Sequence, residues 1–214
     1  IDDQLETVGP NNYEGKLKGS MTAHPKICPE TGELLAFGYS MTPPYLTYLR
    51  VSASGKLVQT EPISVKGATM IHDFNLTRDH VIFMDLPAVW NLEGMAETGL
   101  PVLWDESYGA RLGVMPRNGG DQDITWYEID PCYVFHPLNS YEDGEKIIID
   151  VCRMDDTMKP GSSSPPMLFR WVIDQSKGTV TETQLDDRMA DFPRVCDSKV
   201  GLKHQYGYLS LIHI

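Results

Sequence analysis

One unit recurs three times along this chain: a histidine, a polar turn beginning five or six residues later, and an apolar run directly after the turn. His24 leads to Pro29-Glu30-Thr31-Gly32 and then LLAFGY. His72 leads to Thr77-Arg78-Asp79 and then VIFMDL. His136 leads to Glu142-Asp143-Gly144-Glu145 and then IIIDV. The third copy is the clearest: Tyr133-Val134-Phe135 delivers His136, the turn follows, and Ile147-Ile148-Ile149 carries the chain back as a hairpin. The histidines are 48 and 64 residues apart, with further strand-like runs between them. A repeat of about 40–50 residues of antiparallel strand is the signature of a β-propeller, one unit per blade. Equivalent positions on successive blades converge on the central axis. Three histidines in one structural position would therefore point at one place, the geometry of a metal site.

The rest of the chain agrees with an all-β fold. Residues 34–39, 45–51, 81–86, 124–129, 133–136, 147–151 and 168–173 are short runs rich in aromatic and β-branched side chains. Turn signals separate them, among them Ser54-Gly55 and Ser176-Lys177-Gly178. No segment carries a sustained apolar stripe of helical period, although residues 92–98 have room for one or two helical turns. Residues 86–120, broken by Pro87, Pro101 and Pro116, read as a long excursion between two strands. Residues 159–166, KPGSSSPP, read as a surface loop between neighbouring strands.

Composition narrows the function classes. A net charge of −12 argues against a phosphate-binding surface, so nucleic acid is not expected as a partner. The four cysteines, Cys28, Cys132, Cys152 and Cys196, form no Cys-x-x-Cys pair and read as reduced thiols in a cytoplasmic setting. No run of about 18 apolar residues is present. The three remaining histidines, His80, His204 and His213, lack the repeated context and are expected to be structural or surface residues.

The segments around the three repeated histidines resemble the carotenoid cleavage oxygenases. The matching stretches are TAHPKICPETGEL (22–34), MIHDFNLTRDHVIFMDLP (70–87), WYEIDPCYVFHPLNSYEDG (126–144) and DFPRV (191–195), and the resemblance runs over residues 5–208. It implies a seven-bladed β-propeller with iron(II), Fe(2+), held on the axis by four histidines from different blades. His24, His72 and His136 take three of those positions. The fourth normally lies in a His-Gly stretch for which this chain has no match, and neither His204 nor His213 is assigned to it. The resemblance also implies outer carboxylates bonded to the ligand histidines. One such position falls here, where Asp191 stands in place of a glutamate with one methylene less reach.

The activity implied by the resemblance is that of an iron-dependent dioxygenase, which adds dioxygen across a conjugated double bond of a carotenoid, apocarotenoid or stilbene to give two carbonyl products. By affinity alone an all-nitrogen site favours copper or zinc, so iron rests on the resemblance and not on the ligand types. The implied partners are dioxygen and an apolar conjugated small molecule, with peripheral membrane contact resting on apolar patches that composition does not reveal. Tyr45, Phe74, Trp90 and Phe135 are expected to line the substrate tunnel. Two alternatives remain: an isomerohydrolase of the same family, and a metal-free propeller used as a binding scaffold, against which the three retained histidines argue. At this spacing the chain holds roughly three to four blades. It is expected to be a single incomplete propeller over residues 1–208, which alone holds iron weakly and does not turn over. Residues 209–214, LSLIHI, resemble a translated sequencing adapter and are set apart as a non-native tail.

Overall fold

The computed structural model describes residues 2–159, 161 and 164–211. It is built from antiparallel sheets whose connections follow chain order. The first sheet holds β1 (Lys26–Ile27), β2 (Leu34–Tyr39), β3 (Leu46–Val51) and β4 (Leu57–Ile63). The second begins with β5 (Asn75–Leu76) and β6 (His80–Asp85), then leaves for a ribbon of β7 (Ala88–Trp90) and β8 (Val102–Trp104). It returns as β9 (Ala110–Pro116) and β10 (Thr125–Ile129). The third runs through β11 (Tyr133–Asp143), β12 (Lys146–Met154), β13 (Met167–Asp174) and β14 (Thr179–Arg194), with β15 (Tyr208–Leu211) added to the far half of β14. These are three blades of a β-propeller. In each, the first strand of the sequence repeat is an edge strand.

The blades are joined by cores that the strand period explains. Side chains alternate between the two faces of a strand, so a middle blade must be apolar on both. In β6, Val81 and Phe83 enter a core with Phe37, Leu46 and Tyr48 of the first blade. Ile82 and Met84 enter another with Tyr133, Ile147, Ile149 and Trp171 of the third. That is why β6 reads as an unbroken apolar run. Each fully buried ring in these interfaces, such as Phe83 or Tyr133, contributes about 1.5–3 kcal/mol. A polar clasp adds to the second junction: Glu142 of β11 accepts from the Asp79 backbone N–H at 3.2 Å and pairs with His80 Nδ1 at 2.9 Å. These hydrogen bonds, with burial opposing, hold the Glu142 carboxyl down at about 2.

Several expected boundaries change. The strand expected over 133–136 continues to Asp143, so His136 lies inside it and not at its end. The excursion expected over 86–120 includes regular strand, because β9 is the third strand of the second blade. Its apolar signal is interrupted by Gly113, and the reason is steric: a Cβ there would lie 2.6 Å from the Trp126 ring. The helical turn is a single one, α1 (Met95–Thr98), stopped by Gly99 at φ 72°. The 159–166 loop does join neighbouring strands, β12 and β13, and Ser164 caps it onto Asp156; Pro160, Ser162 and Ser163 lie outside the described residues. All four cysteines are free, with only Cys196 exposed. Among the described residues no helix is long and apolar enough to cross a membrane.

Candidate metal centre

His24 and His72 stand just before the first edge strand of their blades, and His136 lies inside that of its own. His24 precedes β1, and its backbone N–H donates to Thr22 Oγ1 at 3.0 Å. His72 precedes β5, next to the buried Asp73, which pairs with the half-buried Lys26 at 2.9 Å. His136 lies within β11, where the register with β12 slips between Val134 and Pro137 and again before Asn139. Such bulges turn a side chain out of the regular alternation. Pro137 has no N–H to give and is tolerated because β11 is an edge strand.

The three rings converge. Their centroids are 4.7, 5.4 and 5.0 Å apart, and the ring planes meet at 50°, 75° and 85°. One nitrogen from each lies within 4.8 Å of the others. His24 Nε2 and His72 Nε2 are 3.0 Å apart. Two nitrogens bound at right angles to one ion, each about 2.1 Å away, would be roughly 3 Å apart. Steeply inclined rings direct lone pairs at a common point, where stacked rings would not.

The electrostatics favour neutral imidazoles. Burial holds His24 below its ordinary value, partly opposed by the negative charge of Asp73. Burial, then the neighbouring His24 and His136, lower His72 in the same way. His136 Nδ1 is 3.0 Å from Asp191 Oδ1. A carboxylate can only accept, so it fixes the proton on Nδ1 and leaves the Nε2 lone pair free, the tautomer a metal ligand needs. Aspartate therefore reaches the ring directly despite its missing methylene. Among the described residues no carboxylate bonds the rings of His24 or His72.

Of the expected lining residues, Phe135 does reach the cluster, its ring 5.3 Å from His72 and 6.3 Å from His136. Trp90 stands farther out, stacked on Tyr39 at 6.4 Å. Tyr45 is half-buried in the turn before β3, where its carbonyl accepts from Ser40. Phe74 corrects the expectation: it is 0% exposed and packs edge-to-face on Phe37, inside the core between the first two blades. Phe192 was not singled out by sequence, yet its ring lies 5.0 Å from His136 and is 59% exposed. Its φ of 51° is unusual for a phenylalanine and accompanies a second register slip, between Asp191 and Arg194. The DFPRV stretch was the available signal. A cavity of about 930 Å³ opens beside the cluster, bordered by His24, His136, Asn75, Phe192 and Arg194.

The other histidines have local roles. His80 belongs to the Glu142 clasp. His204 is nearly buried, with Nδ1 3.1 Å from the Asn139 amide and Nε2 3.7 Å from Asp150. His213 lies outside the described residues.

The family model described as retinal pigment epithelial membrane protein matches residues 1–213. The carotenoid cleavage oxygenase of Mycobacterium tuberculosis is 34% identical over 258 aligned residues, covering 97% of this chain and 51% of that protein. The solved structure of Pseudomonas brassicacearum lignostilbene dioxygenase superposes with a TM-score of 0.85 at 29% identity, over 98% of this chain and 47% of that one. Cobalt-substituted Synechocystis apocarotenoid oxygenase gives a TM-score of 0.83 at 26% identity, over 98% and 48%. The chain thus spans about half the length of the relatives it matches. It belongs to the retinal pigment epithelial membrane protein family, that of the carotenoid cleavage oxygenases.

Proposed function

We propose that the complete protein carrying this chain is a non-haem iron(II) dioxygenase that cleaves a conjugated carbon–carbon double bond of a carotenoid, apocarotenoid or stilbene into two carbonyl products. The observation that carries this reading is the convergence of His24, His72 and His136 from three blades onto one point. The donor set fits a divalent ion: three half-buried imidazoles, two of them held neutral by their surroundings, the third held in the ligating tautomer by Asp191. A relative, Synechocystis apocarotenoid oxygenase, has been solved in a cobalt-substituted form, which supports reading the family as metal-binding. Iron(II), when bound, supplies the activation of dioxygen that a closed-shell polyene lacks on its own.

The chain's own residues do the rest. His24, His72 and His136 hold the metal through uncharged nitrogens, so its full charge stays at the site. Asp191 orients His136 and offsets part of that charge. Phe135 packs on His72, and Phe192 presents a half-open face beside His136. Flat apolar rings of this kind suit a flat conjugated substrate, which they can hold without any contact to the metal. Addition of one O2 across one double bond balances as two carbonyl groups, with both oxygen atoms ending in products.

The test is to load the complete protein with iron(II) and follow loss of the chromophore of a carotenoid and of a stilbene in air, then under labelled dioxygen. Label in both carbonyl products is expected. Turnover that persists without dioxygen would instead identify the isomerohydrolase chemistry of the same family and overturn the dioxygenase reading.

A further inference from the structure

His24 and His72 come from loops that no strand ladder joins. β1 and β5 pair only with β2 and β6 of their own blades, over two residues each. The 3.0 Å between the two Nε2 atoms therefore depends on side chains that cross from one blade to the other. Two such crossings flank His24. Thr22, two residues before it, has Oγ1 3.5 Å from the His72 carbonyl, long for a hydrogen bond. Lys26, two residues after it, has Nζ 2.9 Å from Oδ1 of Asp73, the residue that follows His72. The ion pair is the shorter tie, and it is well shielded from water: the two side chains are 19% and 5% exposed. Both of its ends are themselves held. Asp73 Oδ1 also accepts the Phe74 N–H at 2.7 Å. Lys26 Nζ stands over the Phe74 ring, 5.6 Å from its centroid, and that ring is fully buried in the core between the two blades.

We propose that Lys26 and Asp73 form a positioning pair for the metal centre: they clamp the backbone after His24 to the backbone after His72, and so set the spacing of the two rings. Charge matters here as well as distance. Opposite charges in contact cancel, so the clamp adds no net charge beside a cation held by neutral imidazoles. Lys26 also commits Asp73, which would otherwise be a spare carboxylate next to a ligand. Among the described residues the converging donors are the three histidines, and Asp73 is not one of them. Removing one partner leaves a shielded charge without its counterpart, which is costly, whereas removing both charges together is much less so. The inference rests on the reading of His24 and His72 as metal ligands.

The experiment is cobalt(II) titration of the metal-free complete protein, read by affinity and by the visible absorption of the bound ion. Wild type is compared with Lys26→Arg, with Lys26→Gln and with the double variant Lys26→Met/Asp73→Asn, which removes both charges and keeps an acceptor for the Phe74 N–H. A second shielded pair, Arg111 with Asp85 at 2.8 Å, joins β9 to β6 within the second blade and serves as the control through Arg111→Met/Asp85→Asn. Loss of a partner bonded to the ligand ring itself typically costs about 10–100-fold; a clamp acting through the backbone is expected to cost about 3–10-fold in Lys26→Gln and in the double variant, with a shifted spectrum. Arginine keeps the ion pair and is expected to stay within about twofold of wild type. The control should also stay within about twofold, with an unshifted spectrum, even where it lowers thermal stability. Wild-type affinity and spectrum in the double variant would overturn the proposal. An equal loss in the control would overturn it too, since the effect would then be general destabilisation. Equal cobalt binding by wild type and His136→Ala would instead remove the metal reading, and this inference with it.

Discussion

His24 and His72 reach the axis from loops that precede strands of 2 residues each, whereas His136 reaches it from inside a strand of 11. The third blade supplies everything its histidine needs: a bulge to aim the ring, Asp191 to fix its tautomer, and Phe135 and Phe192 to flank it. The first two blades supply position but no carboxylate among the described residues. Their loops are tied instead to each other, since Thr22 Oγ1 takes the His24 N–H and lies 3.5 Å from the His72 carbonyl. One site is thus assembled in two ways. A long strand with a local defect holds one histidine rigidly. Short strands with coupled loops hold two histidines that depend on each other and on burial.

This contrast can be broken from either side. The larger effect is expected on the rigid side. Replacing Asp191 with alanine leaves His136 free to rotate and change tautomer, and should lower metal affinity about 10–100-fold while leaving the blade folded. Isothermal titration of the complete protein with iron(II) or cobalt(II) measures this. A change below about twofold would mean that the bulge alone aims the ring.

The smaller effect is expected on the coupled side and depends on pH. His24 and His72 both titrate below the ordinary histidine value of 6.5, burial being the largest cause for each. Their folded forms therefore bind fewer protons than the unfolded chain just below pH 6.5. Both their share of stability and their readiness to bind metal are complete above that value and are lost as the pH falls through the lowered folded values. Metal loading should stay level from about pH 8 down past 6.5, and fall by up to about tenfold per unit for each ring protonated only once the pH drops through their lowered values. Loading that already falls at pH 6.5 would show that these rings are not held neutral by the fold.

Much of this was legible in the sequence, and the pattern of what was not is instructive. The three histidines and the strands after them stood out because a metal site needs one residue type at one structural position. β6 stood out because both its faces are buried. β14 did not, since most of its residues are polar and exposed and its role is partly to carry the chain to Asp191. The bulge at His136 was hidden because a register slip leaves no compositional trace. Phe74 and Phe135 could not be told apart as aromatic neighbours of ligand histidines: Phe74 falls on the face that meets Phe37, and only the pairing of blades decides that. Phe192 was hidden for the opposite reason, because an unusual backbone angle turns it toward His136.

Whether these histidines form one metal centre is decided by the metal content of the complete protein after iron(II) loading and desalting, for wild type and for His136→Ala. About one iron per chain is expected in wild type and less than about a tenth of that in the variant, because the variant loses the one histidine that, among the described residues, is oriented by a carboxylate. Equal iron in the two proteins would contradict a shared centre.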